Sequence, residues 1–90
     1  MVEIPSPKGS VREITGKFEF ETYVSKEDLA KFLRGLVEQL EKSNEISLTS
    51  EEGVIRLYFT EPIELEIDFD GAKRKLKIEL VFRQYPKIKI

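Results

Sequence analysis

Between Ile63 and Phe82 the chain alternates apolar and polar residues on both sides of Asp70-Gly71-Ala72-Lys73, a pattern few folds accommodate. Ile63, Leu65, Ile67 and Phe69 share one parity before the break; Leu76, Ile78, Leu80 and Phe82 share one after it. Successive side chains of a strand point to opposite faces, so two such runs joined by a short Gly-containing connection predict an antiparallel hairpin with one apolar face. With Gly71-Ala72 as a two-residue type II′ turn, Ile67 faces Leu76, Leu65 faces Ile78 and Ile63 faces Leu80. The other face then sets Asp68 against Lys75 and Glu66 against Lys77. A slip of one residue would turn every apolar side chain to the wrong side.

The same logic extends the sheet. Runs at Ile46–Thr49 and Val54–Phe59 flank Ser50-Glu51-Glu52-Gly53, and Thr60-Glu61-Pro62 leads into the hairpin. Pairing across that last connection sets Phe59 against Ile63, Leu57 against Leu65 and Ile55 against Ile67, with a charged row Arg56–Glu66–Lys77 on the outside. Phe18 and Phe20, followed by Thr22 and Val24, alternate with Lys17, Glu19, Glu21 and Tyr23 and predict a further strand. Its acids call for Lys75 and Lys77 as neighbours, which places it antiparallel beside the last strand; a parallel position beside Ile46–Thr49 is the alternative.

Ser25 opens a helix. Asp28 completes a capping-box variant, and Leu29, Phe32, Leu33, Leu36, Val37 and Leu40 recur at spacings of three and four. Lys42-Ser43-Asn44 ends it, with Asn44 suited to a left-handed cap, and Gly35 falls on the side away from the stripe. The expected fold is therefore α+β: a single helix packed on one face of a five-stranded, mainly antiparallel sheet in the order β-α-β-β-β-β. Residues 1–11 read as a flexible leader, 12–83 as a single domain and 84–90 as a C-terminal tail.

Composition limits the chemistry. The chain has no His, Cys or Trp, so it carries no thiol nucleophile, imidazole base, disulfide or Cys/His metal site. No catalytic residues, metal ligands or cofactor follow from the sequence, and a non-enzyme is expected. Abundant Glu, Lys, Arg and Ile with scarce Asn, Gln and Met and no Cys give a thermophilic composition. With no long apolar run and no signal-like N-terminus, the expected location is cytoplasmic, without a membrane partner.

The Ser-capped amphipathic helix, the Glu-rich Ile63–Phe69 strand and the closing Lys75–Arg83 strand resemble the amphi-Trp domain, a small prokaryotic family, over roughly residues 14–83. The family's signature Trp falls at Phe82 here, a smaller aromatic of the same parity. The resemblance implies the amphipathic α+β pattern and carries over no activity, cofactor or catalytic residue.

Sharper readings of the charged residues give way to plain ones. Glu66-x-Asp68-x-Asp70-Gly71 resembles the start of a calcium loop, but Lys77 stands where the bidentate Glu belongs and the segment alternates like a strand. Alternating acids beside lysines also lack the buried setting that raises a catalytic carboxyl pKa. Residues 61–70 carry five acids and no base, whereas residues 71–90 carry seven bases and one acid, Glu79. A basic stretch can bind nucleic acid, yet here it faces the acids. The expected function is a small interaction module that binds a protein partner or itself through the outer sheet face, a sheet edge or the tail. Candidate contact residues are Tyr23, Tyr58, Arg83, Tyr85, Lys87 and Lys89. Nucleic-acid binding through the basic C-terminal third is the alternative.

Overall fold

The computed structural model describes residues 2–3 and 12–85; Lys87, Lys89 and most of the leader and tail lie outside them. The elements run β1 (Val2–Glu3), α1 (Lys26–Lys42), β2 (Glu45–Ser50), β3 (Gly53–Tyr58), β4 (Thr60–Asp70) and β5 (Lys75–Arg83). The chain divides into two units, Met1–Tyr58 and Phe59–Ile90. The strands form two sheets, β1-β2-β3 and β4-β5, in place of the single five-stranded sheet expected.

In the first unit β2 and β3 pair antiparallel around the tight turn at Glu51-Glu52, setting Ile46 against Leu57 and Leu48 against Ile55. β1 adds to β2 in parallel, with Val2 beside Leu48. Arg56 therefore faces Ser47 and ion-pairs with Glu45 at 3.3 Å, and β3 and β4 belong to different sheets, so the expected Arg56–Glu66–Lys77 row is not a ladder row. Residues 14–24 form no strand: Glu13 makes one parallel bridge to Val54, and the backbone from Lys17 to Ser25 runs on without a ladder. Phe18 and Phe20 do point the same way, their rings stacked at 6.4 Å. Alternation records an extended backbone, and a ladder needs a neighbour as well.

Gly53 anchors that bridge. Its φ of 149° lies where side chains are strained, and an added Cβ would stand 2.3 Å from the Arg12 carbonyl oxygen. The absent side chain lets Val54 N donate to Arg12 O at 2.7 Å and Ile14 N to Val54 O at 2.8 Å. Ser50, buried beneath the turn, accepts from Glu52 N and donates to Gly53 O.

Helix α1 starts as expected, with Ser25 Oγ accepting from Asp28 N at 3.1 Å. It ends on an extended Ser43 rather than a left-handed Asn44. Its covered side comprises Phe32, Gly35, Leu36 and Gln39, so Gly35 belongs to the packed face. Gln39 joins helix to sheet: its Nε2 donates to Ser47 O at 2.9 Å and its Oε1 accepts from Ser47 N at 2.7 Å. The side-chain amide thus satisfies a strand's backbone groups as a neighbouring strand would.

The second unit is the long hairpin. Its register places Ile67 opposite Ile78, Leu65 opposite Leu80 and Phe69 opposite Leu76, two residues from the expected pairing. Asp68 consequently faces Lys77, and Asp70 faces Lys75. The shift follows from the turn. Asp70 Oδ1 accepts from Ala72 N and Lys73 N, both at 3.1 Å, and Arg74 takes the left-handed conformation at φ 53°. The loop is therefore four residues long, and Gly71 keeps an ordinary φ. At the base, Glu61-Pro62 is cis and the ladder is interrupted between Thr60 and Glu64, where proline has no N–H to offer. Buried Phe59 meets Phe82, at the signature position, edge to face at 5.2 Å.

Candidate interaction surface

Alternation along β4 and β5 sorts their side chains into an apolar and a charged face. Leu65, Ile67, Phe69, Leu76, Ile78 and Leu80 share the first, each 46–63% exposed. They were expected to lie under the helix. Six large apolar residues exposed on one face make a contiguous patch of the kind that marks an interaction site.

The charged face carries Glu64, Glu66, Asp68 and Asp70 on β4 and Lys75, Lys77 and Glu79 on β5. Two lysines stand over acids, but Glu79 stands opposite Glu66, a like-charge pair. Arg83 is drawn to the hairpin base, where its Nη1 donates to Glu64 Oε1 at 2.8 Å. No cluster of three or more metal-type ligands occurs among the described residues. No helix among them is long and apolar enough to cross a membrane.

A second apolar strip lies on α1. Leu29, Leu33, Val37 and Leu40 are 39–51% exposed and sit roughly a quarter-turn from the covered face, at 100° per residue. The helix thus turns only part of its stripe to the first sheet.

Of the expected contact residues, Tyr23 and Tyr85 are the most open, 97% and 83% exposed. Tyr23 stands in the ladder-free segment before α1, Tyr58 ends β3, and Arg83 is engaged by Glu64. Tyr23 and Tyr58 belong to the first unit, Arg83 and Tyr85 to the second. The hairpin face was missed because its residues read as core. Helix width carried the missing signal: one helix about 10 Å across spans roughly two strands at 4.8 Å spacing, not five.

A family model described as the Amphi-Trp domain matches residues 11–84. No curated protein and no solved structure matches the chain.

Proposed function

The chain belongs to the Amphi-Trp domain family, and on that premise we propose that it is a non-catalytic interaction module working through the β4–β5 hairpin. The observation that carries this reading is the open face of six aliphatic and aromatic side chains. A two-stranded ribbon is barely stable in water, and stability comes with further strands or a covered apolar face. The absence of His and Cys from the sequence supports a role in binding rather than catalysis. The opposition of Lys75 and Lys77 to Asp70 and Asp68 weakens a nucleic-acid reading, since those acids repel phosphate.

The test compares the tagged chain with the double variant Ile67→Thr, Ile78→Thr in pull-downs from native extract, with and without nuclease, beside measurement of self-association. Threonine keeps a β-branched side chain while polarising the face. Association lost in the variant and indifferent to nuclease is the expected result. Association that survives the variant, or vanishes with nuclease, overturns the reading.

A further inference from the structure

We propose that a second copy of this chain adds to the free edge of β5, antiparallel and centred on Ile78, making one four-stranded sheet in the order β4-β5-β5-β4. This rests on the interaction-module reading and names both the partner and the register.

Glu79 supplies the argument. On its own hairpin it faces Glu66, and like charges directly opposite are destabilising. Every polar-face residue of β4 from Glu64 to Asp70 is an acid, so a neighbouring β4 would again set an acid against Glu79. A second β5 offers lysine instead. Among the described residues, β5 has no strand partner besides β4, which leaves its other edge available for pairing.

Parity and charge then select the register. Centring the pair on a residue keeps the apolar faces of both copies together, whereas centring it between residues mixes apolar with charged side chains. Centred on Lys77 or Glu79, that residue opposes its own copy; centred on Leu76, Lys75 opposes Lys77; centred on Leu80, Lys77 opposes Arg83. Centred on Ile78, Lys77 faces Glu79 of the second copy twice over, Leu76 faces Leu80 twice, and no like charges meet within the strand. Centred on Val81, Glu79 would meet Arg83, but that arginine already donates to Glu64 and the pairing would cover only residues 79–83 of each strand; centred on Ile78 it covers residues 75–81, which selects Ile78. It also gives each Glu79 a cation, and it turns two marginal ribbons into a sheet wide enough to persist.

The experiment is sedimentation of the full chain across a concentration range, for wild type, Lys77→Glu, Glu79→Lys and an equimolar mixture of the two variants. Wild type is expected to dimerise. Each variant alone opposes like charges at both symmetry-related contacts and should dimerise at least about tenfold more weakly. In the mixture, the two acids at positions 77 and 79 of one variant meet the two lysines at those positions of the other, and dimerisation should return close to wild type. Glu79→Lys relieves Glu66 within its own hairpin, so weaker dimers with undiminished circular dichroism separate assembly from folding.

A chain monomeric at all concentrations, variants that dimerise like wild type, a mixture no better than its components, or growth beyond the dimer each overturn the proposal. If capture of a different protein still depends on Ile67 and Ile78 in those cases, the module reading stands without it. If that capture fails too, both fall.

Discussion

At the scale of single residues, the two turns place their conformational demands in opposite ways. Gly53 uses a backbone region closed to other residues and admits the Arg12 carbonyl where a side chain would sit. Gly53→Ala is expected to cost about 2–3 kcal/mol, read as a lower midpoint in chemical denaturation. Gly71 carries no such demand: an added Cβ would meet the Phe69 ring at an ordinary 3.5 Å. The left-handed position of the hairpin loop is held by Arg74. Arg74→Gly should therefore stabilise the chain by about 0.5–1 kcal/mol, and Gly71→Ala should not destabilise it, by the same measurement. A loop that used Gly71 as its left-handed residue would reverse both signs.

At the scale of elements, the Gln39–Ser47 contact is the joint between α1 and β2. Gln39→Ala leaves the Ser47 N–H and C=O without their partner and should cost about 1–3 kcal/mol. Faster hydrogen exchange at the Ser47 amide, with the Ser25 end of the helix unaffected, is the local signature. This joint was not legible in the sequence, because a glutamine on a helix reads as a solvated residue. The helix, its Ser25 cap and the four strands from Glu45 to Arg83 were legible, since periods of 3.6 and 2 need no knowledge of neighbours. Strand partners were harder. A period-2 pattern is blind to a shift of two residues, so Ile67 keeps its face whether it meets Leu76 or Ile78, and the Asp70 side chain decides between them. The alternation at Phe18 and Phe20 likewise described an extended path that found no ladder. The candidate surface was half legible: its apolar residues were identified, but as interior.

At the scale of the molecule, the two units should answer differently to protein concentration. Amides of β4 and β5 are expected to gain hydrogen-exchange protection as concentration rises, because association stabilises what it binds. Amides of β2 and β3, already stitched to α1 and to residues 12–14, should hold steady. Equal gains in both units would place the association elsewhere. The acids of β4 acquire a further meaning at this scale. Once two hairpins have joined through their lysine-bearing strands, each end of the ribbon presents a wholly anionic border, and any third copy arriving with its own β4 is turned away. A sheet that must widen is thereby kept from becoming a filament. Replacing Glu64, Glu66 and Asp68 by their amides should remove that stop and let soluble pairs run on into fibres, visible as dye-binding aggregates.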